Sequence, residues 1–140
     1  GRAVPERFDR VLLDAPCSSE SRMRWQEARS FAHWNLRKVR ETQRKQKSLL
    51  RSAYAALKPG GVLLYCTCSF APEENELVVD ALLKKSDALL LPIDNAPENS
   101  ISGLTHWLGR DLASEMSRSV RIMPDGPWDG FYLARITKPQ

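Results

Sequence analysis

Two periodicities divide this chain of 140 residues. Residues 8–14 read FDRVLLD, and Val11, Leu12 and Leu13 make a short apolar run. The run predicts a strand buried on both faces, stopped by Pro16 after Asp14-Ala15. From Leu36 the stripe changes to steps of three and four, through Val39, Gln43, Gln46, Leu50, Ala53 and Leu57. That spacing predicts a helix with one inward face. Lys58-Pro59-Gly60-Gly61 is expected to end it, with a cation in the last turn and glycines beyond. Residues 62–65 (VLLY) predict a second buried strand. Strand, helix and strand in this order make a βαβ unit, which requires a parallel sheet.

Beyond it, Ala71-Pro72-Glu73-Glu74-Asn75-Glu76 reads as the opening of another helix, with proline and acids in its first turn. Leu77, Val78, Ala81, Leu82 and Lys85 are expected to continue it. Residues 89–93 read as a strand or a loop-bound apolar run, and residues 103–116 as one irregular helix. Residues 119–123 and 131–137 predict two strands joined by a Pro/Gly-rich turn. In the second, Phe131, Leu133, Arg135 and Thr137 alternate with Tyr132, Ala134 and Ile136. A closing antiparallel hairpin follows. No repeat, low-complexity tract or internal boundary interrupts residues 1–140, so a single unit is expected.

Composition narrows the class. Charged residues are 27% and hydrophobic residues 42%, which fits a soluble globular chain. No apolar run approaches the ~18 residues that span a bilayer, so no membrane partner is expected. The start, GRAVPERFDRV, lacks the apolar core of a signal peptide. It also lacks a methionine and runs almost directly into a strand, so the chain reads as a fragment. Three cysteines without an export signal point to a reducing, cytoplasmic setting. The net charge of +4 is unevenly placed: residues 22–51 hold ten Lys or Arg against Glu27 and Glu41, a window of +8. Such a concentration attracts phosphates, although a solvated helix face is the simpler reading of a charge run.

The two predicted parallel strands end in DAPCS and CTCS. Ligands of open α/β sheets bind beyond the carboxyl ends of the strands. Asp14, Cys17, Cys68 and Ser69 are therefore expected to meet at one sheet edge, although 51 residues separate the two cysteines. A bridge between Cys66 and Cys68 would be strained. Cys17, His33 and His106 lack the paired spacing of a zinc site, so no metal is predicted. Taken alone, a cysteine after a strand is most often packing.

Asp14-Ala15-Pro16-Cys17-Ser18 and Tyr65-Cys66-Thr67-Cys68-Ser69 resemble the two cysteine motifs of the Sun/Fmu/Nop-type RNA (cytosine-5) methyltransferase family. The glutamine-bearing helix around Gln43 and Gln46, Leu57-Lys58-Pro59-Gly60-Gly61, Pro72-Glu73-Glu74-Asn75-Glu76 and Asp129-Gly130-Phe131-Tyr132-Leu133-Ala134 agree in order with it. The resemblance implies an α/β, Rossmann-like methyltransferase fold, present in part: the later parallel strands plus the closing antiparallel hairpin. It implies methyl transfer from S-adenosylmethionine to carbon 5 of cytosine in rRNA or tRNA. A thiolate adding to carbon 6 makes the ring an enamine able to attack the methyl group, an instance of covalent catalysis.

By the same resemblance Cys68 is the nucleophile, Cys17 assists release of the product, and Asp14 binds the cytosine edge. Asp14 and Pro16 are expected against the cofactor, and Ser18, Arg22, Arg24 and Ser69 against RNA, with Trp25 and Trp34 stacking on bases or packing on the helix. Cys66 is read as packing. DNA cytosine methyltransferases place the nucleophile in a proline-cysteine motif, so attack by Cys17 stays open. A cysteine nucleophile needs a cationic neighbour or dipole, which the helix opening near Pro72 is expected to supply.

Two departures qualify the match. The family usually has glycine where Ser19 stands. No glycine-rich cofactor loop is present, since Gly60-Gly61 precedes the wrong strand. The expectation is the C-terminal part of a catalytic domain, inactive alone, lacking the N-terminal half of the same enzyme. Its sheet edge beside residues 11–13 would then be unpaired and prone to self-association. A non-catalytic RNA-binding fragment or degenerate homologue and a DNA cytosine methyltransferase are the alternatives, with a purely structural domain the remaining one.

Overall fold

The computed structural model describes residues 4–140; the first three residues of the GRAVPERFDRV segment lie outside it. The first strand, β1 (Phe8–Asp14), leads through a 3-10 turn at Glu20–Arg22 and a short helix α1 (Ala28–Phe31) to the long helix α2 (Leu36–Ala56). The Asn35 side chain caps α2 by accepting from the Lys38 N–H at 2.8 Å. Its inner face is Val39, Gln46, Leu50 and Tyr54. Leu36 is exposed and Leu57 has already left the helix, so the buried stripe is shorter at both ends than the periodicity predicts.

Strand β2 (Leu57–Thr67) starts directly at the helix end. Leu57 pairs with Phe8, and the ladder resumes at Arg10↔Val62. Lys58 to Gly61 bulge out between these pairs, with Gly60 at φ 75°, a left-handed conformation that glycine adopts without strain. The Gly-Gly pair therefore serves a bulge inside a strand rather than a helix stop. β1 and β2 are parallel, as the βαβ reading requires, with Leu13 opposite Tyr65 and Asp14 opposite Cys66.

After β2, residues 72–75 form turns and helix α3 (Glu76–Leu83) begins later and ends sooner than the sequence pattern suggests. The remaining chain adds β3 (Leu89–Leu91), β4 (Ser100–Ser102), a small hairpin of β5 (His106–Trp107) and β6 (Arg110–Asp111), and a 3-10 turn at Ser114–Arg118. Then come β7 (Val120–Ile122) and β8 (Phe131–Thr137). The expected irregular helix over 103–116 is thus a hairpin and a turn. β7 and β8 do pair antiparallel.

The sheet order is β1-β2-β8-β7-β4, with β3 also on β8. Among the described residues only β1 and β2 run parallel; β8 inserts antiparallel against β2. α2 and α3 cover one face, where Leu63, Tyr65, Tyr132, Ala134 and Ile136 are sealed from solvent. On the other face Leu12 is 68% exposed, so β1 is buried on one side only, against expectation. Its outer edge has no strand partner among the described residues.

One ion pair clamps the closing hairpin to the helical layer. Arg121 on β7 meets Glu76 on α3 at 2.6 Å through both Nε and Nη2, and its Nη1 donates to the Phe70 carbonyl at 2.9 Å. Glu76 is fully buried and Arg121 nearly so. Removing one partner of such a pair strands the other without water. Arg121→Met should lower the urea-denaturation free energy by about 3–5 kcal/mol. Adding Glu76→Gln to that variant should restore part of the loss.

Candidate active site

The parallel register sets the site. β1 and β2 stop side by side, and the Ala15 N–H donates to the Cys66 carbonyl at 2.9 Å, one step beyond the strands. The Ser21 N–H then donates to the Cys68 carbonyl at 3.1 Å. Between these two bonds the Cys17 and Cys68 sulfurs lie 2.9 Å apart, both half-buried.

Their environment separates them chemically. The hydrogen bond from Cys17 stabilises a Cys68 thiolate, against the cost of burial. The Ser19 hydroxyl at 3.7 Å and the Arg22 charge add to it, holding Cys68 down at about 6. The same contact, then burial, pushes the Cys17 thiol well up from its ordinary value. The contact thus pushes the two sulfurs in opposite directions, Cys68 toward the thiolate and Cys17 toward the thiol. Cys66 points under the strand ends, its sulfur 3.7 Å from the Leu13 carbonyl and from Asp14 Oδ1. Burial, then the Asp14 carboxylate, push it up to about 12, so it stays a thiol.

Behind the sulfurs lies a frame that the sequence does not announce. Glu74, fully buried, accepts from the Ser18 N–H at 2.9 Å, the Ser18 hydroxyl, the Ser69 hydroxyl at 2.7 Å and Gln46 Nε2 at 3.1 Å. Gln46 also donates to the Pro16 carbonyl at 3.0 Å. Glu20 accepts from the Phe70 N–H at 2.9 Å and from Trp34 Nε1 at 2.7 Å. Thr67 donates to Asn75, whose amide donates to the Ser69 carbonyl. The sequence assigns Ser18 and Ser69 to RNA; the structure gives their hydroxyls to Glu74 and leaves them 6% and 1% exposed. They belong to the wall of the site and not to its open side.

The other expected residues are distributed unevenly. Asp14 and Pro16 are exposed at the end of β1. Arg22 is exposed, beside Asp129 at 3.4 Å, and close enough to act on Cys68. Arg24 is exposed on the same excursion. Trp25 is 93% exposed, so it packs on nothing, whereas Trp34 is tied to Glu20. The helix that was to supply a dipole starts at Glu76, and Cys68 takes its support from Cys17, Ser19 and Arg22 instead.

The family described as 16S rRNA methyltransferase RsmB/F matches residues 2–137. The chain belongs to this family. A tRNA (cytosine(49)-C(5))-methyltransferase of Pyrococcus abyssi is 46% identical over 135 residues, covering 95% of this chain and 42% of that protein. Ribosomal RNA small subunit methyltransferase F of Aeromonas salmonicida is 47% identical over 140 residues, 99% of this chain and 27% of the relative. Among solved structures, a methyltransferase homolog protein from Pyrococcus horikoshii superposes with a TM-score of 0.78 at 35% identity, over 95% of this chain and 40% of that one. NSun6 from the same organism, solved with SFG, gives 0.68 at 27% identity over 96% of this chain and 31% of that one. The chain therefore spans well under half the length of these relatives. Its fold is a partial Rossmann-like methyltransferase fold.

Membership of the RsmB/F family makes Ser19 informative. Its φ is 60° and ψ 35°, the left-handed region where glycine, the residue usual in the family, sits without strain. A side chain there costs about 1–2 kcal/mol, and this one returns a hydroxyl to Cys68. Ser19→Gly relieves the backbone but frees the unfolded chain, so stability should change by less than about 1 kcal/mol. The pH midpoint for iodoacetamide alkylation of Cys68, followed by peptide mass, should sit near 6 in the native protein. It should rise in Ser19→Gly and rise further in Cys17→Ala, because the Cys17 bond is the larger support.

Proposed function

We propose that these residues are the catalytic part of an S-adenosylmethionine-dependent methyltransferase acting on carbon 5 of cytosine in rRNA or tRNA. The observation that carries this reading is the sulfur pair, 2.9 Å apart at the carboxyl ends of two parallel strands, with Cys68 pushed toward the thiolate and Cys17 toward the thiol. The names of the relatives support the substrate class.

In this reading the Cys68 thiolate forms a bond to carbon 6 of a cytosine turned out of its stack, and the ring's electron pair moves toward carbon 5. Asp14, exposed above the strand ends, bonds the cytosine edge. Once Cys68 is bonded to carbon, its sulfur no longer holds the negative charge that keeps the proton on Cys17. Cys17 then becomes easier to ionise, next to the ring. Once its own proton has passed to solvent, the Cys17 thiolate can remove the proton from the methylated carbon 5 while the carbon–sulfur bond breaks and Cys68 leaves as thiolate. The coupling makes Cys17 a base only after Cys68 has reacted.

S-adenosylmethionine, when bound, supplies the electrophilic methyl group. A structural relative was solved with an analogue of it. The residues present fit one side of that group. Asp14 and Pro16 are exposed at the end of β1, but the segment after β1, DAPCSSE, offers no glycine to cradle a nucleotide. The remaining contacts are assigned to parts of the whole protein outside this chain, paired along the free edge of β1.

The test uses the full-length protein and RNA containing 5-fluorocytosine, from which carbon 5 cannot lose its substituent. Native protein should form an adduct stable to denaturation, and Cys68→Ser should form none. Cys17→Ser should still attack, and should accumulate adduct even on ordinary cytosine. Loss of the adduct only in Cys17→Ser would reverse the two roles. RNA binding without any adduct in the native protein would make it a non-catalytic binder.

A further inference from the structure

Away from the sulfurs, α2 and α3 enclose an open cavity of about 300 Å³. Its walls carry Arg44, Lys47, Arg51 and Lys85, and its floor includes Val78 and Leu82. Among the described residues none of these four cations is paired with an acid. Asp80, whose charge reaches Lys47, is already taken: it accepts from Lys84 at 2.8 Å, Arg110 at 3.1 Å and the Ala113 N–H at 3.1 Å. A second cavity, shared through Arg44, continues along α2 past Arg40 to Arg37, which is paired there with Glu41 at 2.9 Å. Residues 37, 40, 44, 47 and 51 follow steps of three and four, so these cations form one ridge about 21 Å long at 1.5 Å per residue.

We propose that this groove is a second RNA contact of the protein, holding backbone phosphates that flank the target nucleotide. The proposal rests on the function proposed above. Within this ridge Arg40, Arg44, Lys47 and Arg51, unpaired with any acid among the described residues, run for about 17 Å, which matches a polyanion better than a single small anion. The apolar floor can take a sugar or base face between phosphates. Burial, then the charges of Arg110 and Lys85, lower the Lys47 pKa, and the smaller opposing pull of Asp80 does not offset them. The groove is also mechanically tied to the chemistry. Gln46, the neighbour of Lys47, reaches inward from the same helix to Pro16 and Glu74.

The test is the salt dependence of binding by the full-length protein to two unrelated single-stranded RNAs of 30 nucleotides. Each lost phosphate contact removes about 0.7 from the slope of log K against log[salt]. Arg44→Gln with Lys85→Gln, one change on α2 and one just past the end of α3, should lower the slope by about 1.4 and weaken binding roughly 25-fold at 0.1 M salt. The loss should be equal on both RNAs. Lys38→Gln with Lys45→Gln removes the same charge from α2 outside the cavity and should leave the slope unchanged. Equal losses in both double variants would mean diffuse attraction and overturn the groove as a site. An unaltered slope in the first variant overturns it too. Lys47 should be acetylated by an activated ester in RNA-free protein and protected by RNA. An unreactive Lys47 without RNA means another part of the protein fills the groove, which again overturns it. If native protein still traps 5-fluorocytosine in any of these cases, only the groove proposal falls. If native protein traps none, the functional reading falls instead.

Discussion

Glu74 is a carboxylate sealed from solvent beneath two loops that lie far apart in sequence. A group in that position needs a donor for each exposed lone pair, because water cannot supply one. The donors come from three places: Ser18 on the first loop, Ser69 on the second, and Gln46 on α2. Moving either loop would strip donors from a buried acid, at a cost of about 1–3 kcal/mol or more for each one left unmade. The separation of the two sulfurs is therefore not set by the cysteines. It is set by a polar tie behind them, which fixes the loops against α2 before any substrate arrives.

That division frees the front of the site for chemistry. The Cys68 thiolate is supported mainly by neutral donors, a thiol and a hydroxyl, with one exposed guanidinium nearby. Fixed dipoles aimed at a charge do not need to reorganise when the charge moves. A buried lysine in the same place would remain charged after the sulfur became neutral, and would then be left unpaired. The thiol of Cys17 has the opposite property, since its acidity depends on the charge its partner carries.

Much of this was legible in the sequence. β1 was readable from its apolar run, α2 and β8 from their periods, and the parallel pair followed from strand–helix–strand order. The convergence of Cys17 and Cys68 followed from that topology alone. The start of β2 was misread because Gly60-Gly61 looks the same whether it stops a helix or allows a bulge, and pairing with Phe8 decides which. The hairpin of β5 and β6 has strands too short to show a period. Ser18 and Ser69 were assigned outward because small polar residues beside reactive cysteines look like binding groups. Glu74 reads in the sequence as a first-turn acid of a helix that in fact begins two residues later. Three carboxylates here have three fates, Asp14 open, Glu20 bridging and Glu74 sealed, and only tertiary burial distinguishes them.

The distribution of charge on α2 follows from the same constraint. A helix that must present Gln46 to the catalytic loops presents Lys47 about 100° further round, since 3.6 residues make a turn. Inward it can carry only apolar groups or a side chain whose donors are taken, which is what Val39, Gln46, Leu50 and Tyr54 are. The cations are thereby forced onto the outer ridge, and α3, packed alongside, turns the ridge into a groove. One helix thus links the position of the two sulfurs to the placement of the densest positive charge in the sequence. A shift of α2 along its axis would disturb both together.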